Sequence, residues 1–216
     1  MSGPVPARID LFRMVHHANV AHILDHGLCN RSHPHFDPDY VDIGHAEIIG
    51  RRAAQAVGVQ GYGDLGEYVP FYFSGHQPML LNIITGMYGL PQRPQRDLVL
   101  IHCPLARITG AGCRYVYTDG NAKVMISKKY TGPEGMMELD WEAINSSDFR
   151  VAEHGKDRIR RKQAEFLVHQ HVPVGCIAAL IVLDTERREE MEALVTARGL
   201  DIKVIEDRNH KWFFER

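Results

Sequence analysis

Apolar positions recur along the chain in short runs. Leu11-Phe12-Arg13-Met14-Val15 alternates at the period of two that turns successive side chains to opposite faces of a strand. Asn19 then precedes Val20, Ile23 and Leu24 at helical spacing and Gly27 closes the pattern, so the opening reads as strand then helix. Residues 29–44, with two prolines, three aspartates and two histidines, read as a loop. Ala46 to Val57, which carries Arg51 and Arg52, predicts a helix, and Val59 to Gly66 a glycine-rich turn. Glu67 to Phe73 is aromatic and β-rich. Its internal Pro70 cannot donate to a ladder, which predicts an edge strand.

Further on, Met79 to Thr85 predicts a short helix, and Leu98–Cys103, Arg114–Tyr117, Ala164–Val168 and Ile177–Leu183 predict strands. Glu186 to Arg198 before Gly199 reads as an amphipathic helix. Lys203–Ile205 and Trp212–Phe214 read as short closing strands, and Asp119 to Glu138 as a long surface loop of the kind that carries function. Strands outnumber helices and do not alternate with long ones, which argues against a doubly wound parallel sheet and for an α+β fold on antiparallel sheets.

At 216 residues, 44% hydrophobic and 24% charged, the chain is expected to form one domain, 1–216, with a core that needs no staples. Cys29, Cys103, Cys113 and Cys176 form no Cys-x-x-Cys pair and the first residues lack the apolar stretch of a secretory signal, so the cytoplasm is the expected compartment. The longest apolar run, Cys176 to Leu183, is too short to span a bilayer, so no membrane association is expected. A net charge of −2 means that any nucleic-acid binding must come from a local patch.

Glu165 draws attention because alternation sets it opposite Ala164 and Phe166 in an apolar strand, where a carboxylate needs either a partner or a chemical task. Pairing with a nearby arginine accounts for it equally well. Just upstream, Arg158, Arg160, Arg161 and Lys162 put four cations within five residues, either a solvated face or a grip on phosphates. Adjacent helical residues point about 100° apart, so at most one of Arg51 and Arg52 faces a pocket. Thirteen histidines invite a metal, and His22 and His26 share a helix face, but neither they nor His169 and His171 have an evident third ligand, so no metal is expected. Serine-nucleophile, phosphate-loop and dinucleotide glycine motifs are absent.

Several segments together resemble one family, the DarT DNA ADP-ribosyltransferase toxins. They are Leu11-Phe-Arg-Met-Val-His16 with Asn19, Ile43-Gly44 through Ile49-Gly-Arg-Arg52, Tyr68-Val-Pro-Phe-Tyr-Phe73 with Pro78-Met-Leu80, Tyr115-Val-Tyr-Thr-Asp119, Leu139-Asp-Trp141, Asp148-Phe-Arg150, Arg161-Lys-Gln-Ala-Glu165 and Trp212-Phe-Phe214. The resemblance implies an ADP-ribosyltransferase fold, a split sandwich of two antiparallel β-sheets with peripheral helices that grips NAD. It implies transfer of ADP-ribose to a base of single-stranded DNA, with thymidine foremost, and a macrodomain antitoxin as partner. Position by position it makes Glu165 and Arg52 catalytic and places Arg13, His16, Asn19, Tyr68 and Tyr72 near the cofactor. Arg13 stands where some relatives have a histidine. Residues 119–138 resemble the loop that presents the nucleobase, with Lys128 and Lys129 as phosphate contacts. A splayed base needs an aromatic platform, for which Tyr115, Tyr117 and Tyr130 are candidates. A guanosine- or RNA-modifying transferase, a catalytically silent nucleic-acid-binding module and, less strongly, a metal-dependent nuclease are the alternatives.

Overall fold

The computed structural model describes residues 3–44, 46–148 and 151–215; Phe149 and Arg150, and the Arg51 side chain, lie outside the described residues. In chain order the elements are β1 (Asp10–His16), α1 (Val20–His26), β2 (Leu28–Cys29), α2 (Ala46–Ala53), β3 (Tyr68–Tyr72), α3 (Pro78–Thr85), β4 (Leu98–Pro104) and α4 (Leu105–Gly110). There follow β5 (Tyr115–Thr118), β6 (Lys129–Tyr130), α5 (Trp141–Asn145), α6 (Val151–Lys162), β7 (Glu165–His169), β8 (His171–Val172), β9 (Ala179–Val182), α7 (Thr185–Ala197) and β10 (Lys203–Glu206).

The main sheet has the order β10-β9-β4-β1-β3-β7-β5-β6, and β2 with β8 forms a small second ladder. A seam divides the main sheet. β1 pairs with β4 over seven residues, whereas β1 meets β3 only at Phe12↔Tyr72. The halves β10-β9-β4-β1 and β3-β7-β5-β6 are joined through that single registered pair, at the place where the expected fold is split into two sheets. All pairings are antiparallel except β10 with β9, where α7 supplies the crossover that a parallel pair requires.

The seam also explains Pro70. β3 is an interior strand, not the edge strand that its proline predicts. The Pro70 carbonyl accepts a hydrogen bond from Arg13 Nη1 at 3.0 Å, so this residue turns its backbone toward β1, where the ladder has already parted. The missing N–H faces a gap and leaves no partner unsatisfied.

Local signals set most boundaries. α1 stops at Gly27, whose φ of 79° favours glycine, and a Cβ there would lie 2.3 Å from the Val172 carbonyl oxygen. Asp184 caps α7 by accepting the Arg187 N–H at 3.0 Å. α2 ends at Ala53, earlier than expected, and α4, α5 and α6 appear where no helix was expected. The segment after Asp119 folds back through β6 onto β5 and ends in a short 3-10 helix (Pro133–Glu138), so it is less of a free loop than its composition suggests. Trp212–Phe214 is not a strand. The Asp207 carboxylate accepts the N–H groups of Lys211, Trp212 and Phe213 at 2.8–2.9 Å, taking the donors a ladder would have used.

The larger apolar core lies between the sheet and α1, α5 and α7, on the face shown by Leu11, Val15, Val69, Phe71, Phe166 and Val168. A second core joins Met14, Leu98 and Leu100 to α3 and to the fully buried Phe213. Among the described residues no helix is long and apolar enough to cross a membrane.

Candidate active site

Strand alternation commits Phe166 and Val168 to the main core and turns Glu165 to the other face, beside its cross-strand neighbour Tyr72. Glu165 is 0% exposed, so its carboxylate needs partners inside the protein. One oxygen pairs with Arg52 of α2, and the other accepts the Ala122 N–H at 2.9 Å. Its backbone is fixed as firmly, because the Glu165 N–H donates to Thr118 Oγ1 at 3.1 Å while that hydroxyl donates to the Gly120 carbonyl at 2.5 Å. A buried charge held by a guanidinium and a backbone N–H satisfies the pairing that burial demands.

Arg52 also faces a cleft of about 220 Å³ at the seam. Its side chain is 22% exposed, so it separates Glu165 from the opening. Three guanidinium groups, from Arg13, Arg31 and Arg52, line the walls together with Phe36, Tyr40 and Tyr68. Cations suited to a pyrophosphate and flat rings suited to a base or a nicotinamide make this donor set fit a dinucleotide. Arg31 is braced by Asp42 at 2.5 Å. Burial and then Glu165 push the Tyr72 phenol far up from its ordinary pKa, so it stays a neutral donor, directed at Met79 Sδ 3.6 Å away.

Of the expected cofactor residues, Arg13, Tyr68 and Tyr72 line the cleft and two do not. His16 accepts the Ala18 N–H at 3.2 Å, with a pKa lowered first by burial and then by His17. Asn19, 1% exposed, both donates to and accepts from the Val41 backbone at 2.9 and 2.8 Å. It fastens the loop that forms the cleft wall. Asn30, Phe36 and Tyr40 of that loop were missed from sequence; aromatic rings in an otherwise polar, Pro- and Asp-rich stretch were the available signal.

Most of the basic run is paired within the protein. Arg160 reaches Asp119 at 2.9 Å, Asp157 at 2.8 Å and Ser127 at 3.0 Å; Arg161 reaches Asp140 at 2.5 Å; and Arg158 reaches Glu142 at 3.4 Å. Lys162 is 1% exposed, donates to the Ile144 carbonyl at 3.0 Å, and burial pulls its pKa down to about 8. These cations are committed to internal acceptors, and two of Arg160's partners belong to the loop that carries Ala122. The run anchors that loop and is not a free strip for phosphates.

The tyrosines are likewise committed. Tyr117 is fully buried and donates to the Gly132 carbonyl, which removes it as a platform for a base. Tyr115 stacks on Phe166 at 4.7 Å and Tyr130 on Tyr117 at 5.5 Å, both half-buried. Lys129 donates to the Ser127 carbonyl at 2.8 Å, whereas Lys128 is exposed. Five histidines, His22, His26, His35, His33 and His171, form a chain of ring contacts 4.4–5.6 Å apart; among the described residues no group of three or more donors is arranged for a metal.

Residues 12–214 match the family model described as "ssDNA thymidine ADP-ribosyltransferase, DarT". A DNA ADP-ribosyl transferase of Escherichia coli O127:H6 is 32% identical over 97% of this chain and 95% of its own length, and one from Thermus aquaticus is 29% identical over 90% and 83%. The structure of Thermus sp. 2.9 DarT in complex with ADP-ribosylated ssDNA superposes with a TM-score of 0.89 at 26% identity, covering 99% of this chain and 100% of that one. Its complex with NAD+ superposes at 0.82 and 24% identity, over 98% and 100%, and shows the shared fold. The match over nearly all of the sequence and the agreement in fold place this chain in the DarT family of single-stranded DNA thymidine ADP-ribosyltransferases.

Proposed function

We propose that this chain, acting as one domain over 1–216, transfers ADP-ribose from NAD to the thymine of single-stranded DNA. The observation that carries the proposal is the Arg52–Glu165 pair at the wall of a cleft lined by Arg13, Tyr68 and Tyr72. NAD, consumed as co-substrate, supplies an electrophilic ribose carbon when its bond to nicotinamide breaks and the bonding electrons leave with nicotinamide. Positive charge builds on that ribose, and Glu165 is placed to stabilise it and hold a ribose hydroxyl once Arg52 turns into the cleft. A ring nitrogen of thymine forms the new bond and loses its proton, which Glu165 accepts, while Arg52 steadies the negative charge developing on the base.

Arg13 and Arg31 bind the pyrophosphate in this reading, and the exposed Lys128 at the loop after β5 is a phosphate contact for the acceptor strand. Because the target nitrogen sits inside a base pair in duplex DNA, the acceptor must be unpaired. All four cysteines are free thiols, in keeping with action in a reducing cytoplasm. A toxin role with a macrodomain antitoxin as partner follows from family membership. The test is mass spectrometry of single-stranded oligonucleotides incubated with NAD. An ADP-ribose adduct on thymine is expected; an adduct confined to guanine or to RNA, or nicotinamide release without any adduct, rejects the assignment.

A further inference from the structure

A second cleft of about 400 Å³ is walled by the first strand, the β3–α3 turn, α5 and the C-terminal tail. Its rings include Phe12, Phe73, Trp141 and Trp212, and its positive charge comes from Arg8 and Lys211. Asp10, the acid on its wall, is tied to Arg8 at 2.9 Å and to His102 at 2.8 Å, leaving the exposed Lys211 as a cation with no carboxylate within ion-pair distance among the described residues. The Lys211 ammonium lies over one face of the Trp212 ring, 4.7 Å from its centre, so this cation and this ring are held together at the cleft wall.

Register places this cleft next to the reaction centre. Phe12 pairs with Tyr72 and Tyr72 with Glu165, so the three side chains form one cross-strand row on one face. Two strand spacings of about 5 Å put Phe12 roughly 10 Å from Glu165, close to one or two nucleotides of extended strand. Aromatic rings interleaved with cations are what binding of unpaired nucleotides uses.

We propose that this second cleft holds the unpaired nucleotides flanking the modified base, with a base packed against Trp212 and a backbone phosphate at Lys211. It deepens the transferase reading and rests on it. Both tryptophans of the chain wall this cleft, Trp212 half-buried and Trp141 from within the main core, so a ligand seated there should change intrinsic tryptophan fluorescence chiefly through Trp212.

The full chain, without NAD, is titrated with an end-labelled oligo-dT strand while tryptophan emission and label anisotropy are followed together. Quenching with the same midpoint as the anisotropy rise is expected. Trp212→Ala should weaken binding about 10-fold and Trp212→Phe much less, since either ring stacks. Trp212 also packs over Gly75, where an added Cβ would lie 2.3 Å from the indole, so the exposed Lys211→Glu provides a second variant. It should lower affinity and reduce the slope of log affinity against log salt by about one. An anisotropy rise without quenching, or full affinity and salt slope in folded Trp212→Ala and Lys211→Glu proteins, overturns the proposal and leaves the transferase reading untouched. Normal binding and quenching with no adduct after NAD is added rejects the transferase reading alone, and no anisotropy change at all rejects both.

Discussion

Replacing Glu165 with glutamine separates chemistry from stability at one position. The amide has nearly the same volume, and its oxygen can keep the 2.9 Å bond from the Ala122 N–H, so the change removes charge and little else. Arg52 loses a charge-assisted bond worth about 1.5–3 kcal/mol in a buried setting. Its side chain is 22% exposed, however, so water can replace part of the lost partner and the net loss of stability should be about 1–2 kcal/mol. Transition-state stabilisation suffers more. A fixed negative charge beside a developing ribose cation, in a site closed to water, is worth about 4 kcal/mol, or about 1000-fold in rate. The assay is single-turnover modification of a thymine-containing strand with NAD, quantified by mass spectrometry, alongside the thermal midpoint of the same preparation. A folded Glu165→Gln protein within a few-fold of the wild-type rate refutes the role given to the carboxylate, and a lost rate that merely tracks unfolding refutes the separation of the two effects.

Thr118→Val should destabilise the protein by about 2 kcal/mol, because the Glu165 N–H and the Gly120 carbonyl both lose a buried partner, and chemical denaturation measures this. Asn19→Ala removes both bonds to Val41 and should raise the KM for NAD several-fold with kcat nearly unchanged, since it loosens a cleft wall without touching the reacting atoms; a fall in kcat alone would contradict that. His16, His33 and His76 all have pKa values below 6.5, lowered in each case first by burial. The folded state thus favours the neutral rings, the unfolded chain protonates first as pH falls, and the stability present above pH 6.5 is lost progressively below it. The thermal midpoint should fall between pH 7.5 and pH 5.5, a window above that of Asp25 and Asp157, which arginine bonds hold below 3.8; a rising midpoint would contradict the sign.

Much of this molecule was legible in one dimension. Alternation marked β1 and short apolar runs marked β4 and β7, which are buried on both faces, and the period of two singled out Glu165 as a carboxylate out of place. Gly27 marked the end of α1 because few other residues tolerate its backbone geometry. These are local constraints, written within a few residues of where they act.

The seam, the cleft and the partners of Glu165 are of another kind. Pro70 announced a missing ladder donor, yet only the parting of β1 from β3 turned an interior strand into an allowed place for it. Arg158 to Lys162 announced positive charge, and besides the neighbouring Asp157 the carboxylates that meet it, Asp119, Asp140 and Glu142, come from segments 16 to 41 residues away. Arg52 is 113 residues from Glu165, and the third member of that contact is the Ala122 N–H, a group that every residue except proline carries and that no sequence can distinguish. The sequence by itself determined which side chains carry charge and which faces must be buried. Which charges meet was decided by tertiary structure, because Coulomb and hydrogen-bond energies depend on distances that only the folded chain sets.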